Sequence, residues 1–138
     1  MNEMINRAHD WIQKGDHDLG SAKIIFLNLP EYFDTIAFHC QQSVEKYIKA
    51  ILVFRNIEFQ RSHDLIYLLD LLSTRIEIEA ELFRKAASLN SYGVQIRYPD
   101  SLIELTTKEL QIAIAIAEEF RAFTLVQAEV ETNNPDNS

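Results

Sequence analysis

Apolar residues recur at steps of three and four along most of the chain, which is the spacing of amphipathic helices. The pattern predicts five helices, over residues 3–29, 30–54, 63–72, 79–89 and 101–128. Pro30 is expected at the first position of the second helix, because its fixed φ suits a helix start. Ser62 is expected to cap the third helix, and Asp100 or Ser101 the fifth, since short polar side chains accept the free N–H groups of a first turn.

The predicted helices are joined by short connections, including residues 55–61 and a structured loop over residues 92–99. Only three Gly and three Pro occur in 138 residues, so little interrupts the helices. These features predict the all-α class, as an up-and-down bundle of four to five helices. Residues 1–128 are expected to form one domain, and residues 129–138, which lack periodicity, are expected to be disordered.

The chain is acidic, with a formal net charge of -8 from 13 basic and 21 acidic residues. That charge disfavours nonspecific attraction to a phosphate backbone, so any contact with nucleic acid has to be local and specific. Cys40 is the single cysteine, which leaves no disulfide within the chain and favours a reducing compartment. The start of the sequence lacks the pattern of a signal peptide, and no window approaches the about 20 apolar residues of a membrane span. A cytoplasmic protein is therefore expected.

Residues 38–50, FHCQQSVEKYIKA, combine an apolar helix side with an unusual polar one. The polar side carries His39, Gln42, Lys46 and Lys49 at steps of three or four. These side chains are candidates to line a groove for a nucleotide or a partner. The lysines would contact phosphate, and Gln41 and Gln42 would contact a base edge. The alternative is a helix that satisfies its own polar groups, through Gln41 on Glu45 and a Glu45 to Lys49 pair four positions apart.

Two further polar groups are candidates for the same groove. His63, followed by Asp64, either lines the groove or belongs to a helix first turn, where Asp64 suits the positive end of the dipole. Arg97 carries a planar fork that suits phosphate or carboxylate, and its alternative role is a structural ion pair, for example with Asp100. The pairs at residues 9–10 and 16–17 lack the His or Cys spacing of a metal site, so no metal or cofactor is expected.

Three pieces of the sequence together resemble the HEPN family of small helical domains. They are residues 38–50, the HDL at residues 63–65 and the RYPD at residues 97–100. Trp11 followed by Asp18 is also similar to the first helix of the family's stand-alone members. The resemblance runs from about residue 8 to residue 125 and implies a HEPN-like helical bundle.

The resemblance leaves several functions open, because the family includes ribonuclease toxins, partners of small nucleotidyltransferases and nucleotide-binding domains. The ribonuclease members resemble one another in an arginine followed, after four to six residues, by a histidine. In this chain, the residues at those spacings after Arg97 are Leu102, Ile103 and Glu104. The strict ribonuclease signature is therefore absent, and the protein is expected not to be an enzyme.

The expected function is that of a non-catalytic HEPN module that binds a nucleotide, a nucleotidyltransferase-like partner or both, as part of a toxin–antitoxin type pair. The predicted binding residues are His39, Gln42, Lys46, Lys49, His63 and Arg97. One alternative is a ribonuclease toxin with a non-standard active site, in which Arg97 acts on RNA with His63 or with a residue from a second subunit.

Another alternative is a dimeric helical scaffold with no ligand. The resemblance implies a homodimer, and the last predicted helix carries isoleucines on more than one face, which fits an apolar interface. They are Ile112, Ile114 and Ile116.

Overall fold

A computed structural model describes residues 2–95 and 105–132, with side chains described for residues 3–92 and 105–129. The described chain forms α1 (Asn2–Asn28), α2 (Phe33–Phe54), α3 (Leu65–Ser73), α4 (Ala80–Gln95) and α5 (Thr107–Thr132). No strand occurs within these residues. The expected all-α helical bundle is confirmed.

Helix α2 is the centre of the bundle and packs against each of the other four helices. Its buried residues follow one another almost without interruption from residue 43 to residue 54, with only residue 46 partly exposed. Tyr47, Ile48 and Ile51 are fully buried. Because α2 is covered on several sides, its polar side chains also lie next to other helices and not only next to solvent.

Helices α1 and α2 are antiparallel, and α5 runs opposite to α1. The antiparallel register appears in hydrogen bonds from Tyr47 to Asp16 and from His39 to Asp18. Ion pairs connect α5 to α1, with Arg121 Nε 2.8 Å from an Asp16 oxygen. The helix order is that of an up-and-down bundle to which α3 is added as a short extra helix.

The turn between α1 and α2 differs from the prediction. Helix α2 begins at Phe33, so Pro30 does not occupy its first position. The N–H of Tyr32 donates to the carbonyl of Leu29 at 3.0 Å, which makes Pro30 the second residue of a turn. The fixed φ of proline suits this turn position as well as it suits a helix start, and the sequence alone does not separate the two.

The cap of α3 is Asp64, whereas Ser62 was predicted. The Asp64 carboxylate accepts hydrogen bonds from the N–H groups of Ile66 and Tyr67 and from the amide of Asn90 on α4. The Ser62 hydroxyl instead accepts from the N–H of Asp64 at 3.0 Å. Asn90 also accepts from the backbone of α3, so contact with α4 contributes to where α3 begins.

Helices α4 and α5 both extend beyond the predicted ends. Helix α4 continues to Gln95, so residues 92–95 are helical and not a loop, and α5 ends at Thr132 instead of residue 128. Thr106 and Glu109 cap α5 reciprocally, since each side chain accepts the backbone N–H of the other. Helix α5 begins at Thr107, so the prediction that Asp100 or Ser101 caps it is wrong. Residues 96–104, which include Asp100 and Ser101, and the tail residues 133–138 lie outside the described residues.

Helix α2 ends in a Schellman motif. Asn56 has a φ of 55°, in the left-handed region that asparagine tolerates well. Its N–H donates to the carbonyl of Val53, and the N–H of Ile57 donates to the carbonyl of Leu52. The motif turns the chain sharply after α2 and directs residues 57–61 back along the bundle.

The last helix presents one of its three predicted isoleucines to solvent. Ile112 is 50% exposed, Ile114 is half-buried and Ile116 belongs to the core. Other exposed apolar side chains lie near the turn between α1 and α2. In residues 2–95 and 105–132, no helix has an apolar stretch long enough to cross a lipid bilayer.

Candidate functional site

The polar face of α2 meets α1 at a cluster centred on Asp18. One carboxylate oxygen of Asp18 lies 2.8 Å from Nδ1 of His39, and the other accepts a hydrogen bond from Nζ of Lys46. The side chains of His39 and Lys46 are 26% and 22% exposed, whereas Asp18 is 12% exposed. These three residues, the Asp18 cluster, form a partly buried group with its two nitrogen-bearing side chains nearer to solvent.

A second cluster on α2 is centred on Glu45. The Glu45 carboxylate accepts from Nζ of Lys49 at 3.0 Å and from Nδ1 of His63 at 2.9 Å, and Gln42 Nε2 lies 3.4 Å away. The Glu45 side chain is 3% exposed, and that of His63 is 59% exposed. This Glu45 cluster therefore extends from a buried carboxylate to an imidazole at the surface.

Buried Gln41 links the Glu45 cluster to the backbone that carries His63. Its Nε2 donates to the carbonyl oxygen of His63 at 2.9 Å, and its Oε1 accepts from Nε2 of Gln42 at 2.8 Å. The alternative interpretation of the sequence predicted a contact between Gln41 and Glu45. In the structure, the amide of Gln41 donates to the backbone carbonyl of His63 instead. Both the imidazole and the carbonyl of His63 are thus held by residues of α2.

Lys49 lies between an ion pair and two aromatic rings. Its side chain is 7% exposed, and its Nζ lies 5.3 Å from the ring centroid of Trp11 and 5.9 Å from that of Phe59. A buried ammonium is stable only when it is paired, and Glu45 supplies the opposite charge. The predicted pair four positions apart is present, but it is buried and not a solvated surface pair.

The predicted binding residues are thus divided between the two clusters. Gln42, Lys49 and His63 surround Glu45, whereas His39 and Lys46 contact Asp18. Arg97 lies outside the described residues. The two carboxylates were not predicted as site residues, although Asp18 and Glu45 are both within the segments that carry the family resemblance.

Carboxylates neutralise the cations on this face. The ammonium groups of Lys46 and Lys49 each pair with one, so a phosphate group would have to compete with Asp18 or Glu45 for them. His63 is different, because its Nδ1 donates to Glu45 while most of its ring is exposed. A carboxylate that holds Nδ1 orients an imidazole and leaves Nε2 available to a ligand or a proton.

Metal-ligating side chains do not cluster in the described part of the chain. No three His, Cys, Asp or Glu side chains in residues 3–92 and 105–129 are arranged to hold a metal ion. Cys40 is free and fully buried, and burial raises the pKa of its thiol to about 12. The thiol is therefore a core group at neutral pH and not a nucleophile.

The five-helix fold and the polar face of α2 define a small helical domain of the HEPN type. A profile of the HEPN domain matches residues 8–128, and the chain belongs to this family. The chain is also similar to "Putative toxin MJ1304" of Methanocaldococcus jannaschii, with 32% identity over 102 residues. That match covers 70% of this chain and 66% of the relative, so the chain spans about two thirds of the relative's length.

Two solved structures have a similar fold. TT1696 from Thermus thermophilus superposes with a TM-score of 0.78 and 27% identity, covering 88% of this chain and 98% of that chain. ST0689, described as an archaeal HEPN homologue, superposes with a TM-score of 0.71 and 26% identity, covering 88% and 97%. The HEPN resemblance of the sequence is therefore confirmed in both sequence and fold.

Proposed function

We propose that the protein is the HEPN member of a toxin–antitoxin type pair and that it acts as a binding module without catalysis of its own. Its ligand is a nucleotide, a nucleotidyltransferase-like partner or both. Family membership and similarity to a protein named as a putative toxin support the toxin–antitoxin context. The polar face of α2, with His63 beside it, is the proposed binding surface.

One observation carries this proposal: α2 and the connector before α3 present partly exposed polar side chains on the same side of the bundle. Each of these side chains is oriented by a carboxylate. His39 and Lys46 are oriented by Asp18 of α1, and His63 is oriented by Glu45. Oriented donors favour specific recognition, because less side-chain freedom is lost on binding. Because carboxylates neutralise the lysines of this face, it suits a polar protein surface or the edge of a base better than a phosphate group alone.

Within this proposal, the predicted residues have different roles. His39, Lys46 and His63 contact the ligand, together with Arg97, whose guanidinium suits phosphate or carboxylate. Gln42 and Lys49 support them, because Gln42 bonds to Gln41 and Lys49 is buried against Glu45. Truncating a supporting residue should therefore reduce stability and binding together, whereas truncating a contacting residue should reduce binding alone.

Titration calorimetry tests the proposal with two probes, which are ATP and, if the neighbouring gene encodes a nucleotidyltransferase, that protein. The variant Lys46→Ala with Arg97→Ala should lose at least tenfold in affinity for the probe that binds. His63→Ala should also weaken binding, and His17→Ala, which removes an exposed histidine from α1, is the matched control. Unchanged affinity in both site variants would contradict the proposed surface.

A second candidate function, RNA cleavage, is favoured by the contact between Glu45 and His63. The buried carboxylate holds Nδ1 at 2.9 Å and leaves the exposed ring available as a general base or acid. In this case Arg97 would stabilise the negative charge that develops on the phosphate. Expression of the wild-type protein should then arrest growth and degrade RNA.

The two functions make different predictions for one variant. If His63 is a catalytic base, His63→Ala should relieve growth arrest while partner binding remains within about twofold of wild type. If His63 is a binding contact, the same variant should weaken binding, and no RNA should be degraded by either protein. The measurements are RNA integrity after induced expression and affinity for the partner, with His17→Ala as the control for both.

A further inference from the structure

A cavity of about 880 Å³ opens beside the polar face of α2, between the start of α1, the end of α2 and residues 56–61. Its size is in the range that holds small organic ligands. Of the five predicted binding residues that the structure describes, Lys49 belongs to its lining, and the Asp18 cluster and His63 do not. The cavity is therefore a separate candidate site with its own chemistry.

One part of the cavity lining is aromatic and apolar. Trp11 of α1 and Phe59 of the connector flank the Lys49 ammonium, and Met4, Val53 and Ile57 extend the apolar part of the lining. Trp11 and Phe59 are both only partly buried. When a flat apolar group covers aromatic side chains that are partly open to a cavity, the burial of apolar surface and the ring contacts stabilise the complex.

The cavity lining carries several basic residues although the whole protein is acidic. Its lining includes three cations, Arg7, Lys49 and Arg61, against two acids, Glu3 and Glu58. Because Lys49 is paired with buried Glu45, the cations of this lining that can meet the charge of a ligand are Arg7 and Arg61.

The two arginines of the cavity differ from the lysines of the α2 face. Lys46 and Lys49 are each paired with a carboxylate. Arg7 and Arg61 are exposed, and neither has an ion-pair partner within residues 3–92 and 105–129. An unpaired guanidinium offers a planar fork of donors that fits the oxygens of a phosphate or a carboxylate.

We propose that this cavity binds a small aromatic anion, with the ring against Trp11 and Phe59 and the phosphate or carboxylate on Arg7 and Arg61. The backbone at the rim is shaped by Asn56, which lines the cavity and whose left-handed conformation turns the connector back along the bundle. Lys49 is paired with Glu45 and therefore belongs to the wall of the cavity.

The test uses the indole N–H signal of Trp11, which is the single tryptophan of the chain and lines the cavity. Phenyl phosphate and benzoate are titrated while this signal is followed by nitrogen–proton correlation NMR, and the comparison between them distinguishes phosphate from carboxylate. Benzyl alcohol and inorganic phosphate supply the ring and the charge separately. At least one aromatic anion should shift the signal saturably. Its Kd should be at least tenfold lower than the Kd of benzyl alcohol and that of inorganic phosphate.

A matched pair of double variants tests the role of the arginines. Arg7→Ala with Arg61→Ala should raise the Kd at least tenfold, because the charged contacts are lost. Arg75→Ala with Arg84→Ala removes the same charge from exposed residues outside the cavity lining and should change the Kd less than twofold. Both variants alter exposed residues, so circular dichroism should show the wild-type helix content.

Three results would overturn the proposal. They are the absence of a saturable shift of the Trp11 signal at millimolar probe, equal affinity for benzyl alcohol and the aromatic anions, and equal effects of the two double variants. Binding at this cavity and binding at the α2 face are measured separately, since Arg7 and Arg61 belong to neither cluster. Failure of one proposal therefore leaves the other unaffected.

Discussion

Gly15 of α1 lies directly against the ring of Tyr47 of α2. A Cβ atom at residue 15 would stand 2.7 Å from Cε1 and 2.9 Å from Cδ1 of Tyr47, closer than any unstrained contact. The ring cannot move away easily, because it is fully buried and its hydroxyl donates to Asp16 at 2.6 Å. Arg121 of α5 also donates to this carboxylate oxygen. The absence of a side chain at residue 15 thus allows α1, α2 and α5 to meet.

Replacing Gly15 by alanine should destabilise the protein by about 1–3 kcal/mol, because overpacking forces the ring or the backbone to shift. The higher helix propensity of alanine offsets up to about 1 kcal/mol of that cost. Gly20→Ala is the matched control in the same helix, since a Cβ at residue 20 would have no neighbour within 4 Å. It should stabilise by about 0.5–1 kcal/mol. Urea unfolding of both variants measures the difference, and a stabilised Gly15→Ala protein would contradict this packing.

Truncating Glu45 should destabilise strongly, because the buried ammonium of Lys49 would lose its partner. The expected cost of Glu45→Ala is about 3–5 kcal/mol. Adding Lys49→Met should recover a large part of it, since the unpaired charge is then removed. Glu118→Ala breaks a half-exposed pair with Lys23 and should cost about 1 kcal/mol or less. A double-mutant cycle in urea measures the coupling, and additive effects of the two substitutions would show that the pair is not coupled.

The two polar residues before α3 should differ in their effect on stability. Asp64→Ala removes the acceptor for two backbone N–H groups and should cost about 1–2 kcal/mol. Ser62→Ala removes one acceptor outside the helix and should cost about 0.5 kcal/mol or less. Thermal unfolding with matched heating rates compares the two. A larger loss for Ser62→Ala would place the cap two residues earlier than it lies here.

Stability should fall as the pH rises above about 9. Burial raises the pKa of Cys40 from 9.0 to about 12, and burial with the hydrogen bond to Asp16 raises the pKa of Tyr47 above its ordinary 10.0. Between the unfolded and folded pKa values, the folded protein keeps a proton that the unfolded chain releases, so rising pH favours unfolding. The contribution is intact below pH 9 and is lost progressively up to about pH 12 for Cys40.

Urea unfolding at pH 8, 9, 10 and 11 under reducing conditions measures this dependence. Cys40→Ala should lower the slope of unfolding free energy against pH, because the buried thiol no longer titrates, even if the variant is less stable at every pH. Tyr47→Phe should lower the slope above about pH 10 for the same reason. An unchanged slope in both variants would show that other groups control alkaline unfolding.

The helices and the family could be predicted from the sequence because their signals are local. The spacing of apolar residues defined the five helices, and residues 38–50 with HDL and RYPD indicated the family, which the comparisons confirm. Helix ends were less accurate. Pro30 and Ser62 are each locally compatible with the predicted roles, but the turn closed by Tyr32 and the contact of Asn90 with α3 decide the outcome.

The candidate site was predicted only in part. Five of the predicted polar residues lie within the described chain, on or beside α2, because helical periodicity places side chains on one face. The pair of Glu45 with Lys49 was predicted, but the contacts of Glu45 with His63 and of Asp18 with His39 and Lys46 were not. Asp18 is 21 residues from His39 in sequence, and nothing local predicts that their side chains meet.

By itself, the sequence determined the helices, the acidic charge, the single cysteine and the HEPN family of this protein, because these follow from composition, short-range periodicity and motifs. Only the tertiary structure decided that Lys49 is buried against Glu45, that His63 is oriented while still exposed, and that Arg7, Trp11 and Arg61 line one cavity. The physical reason is that pairing, burial and cavity shape depend on contacts between residues that are distant in the chain. Such contacts form only when the helices pack, and Gly15 against Tyr47 is one place where that packing is set.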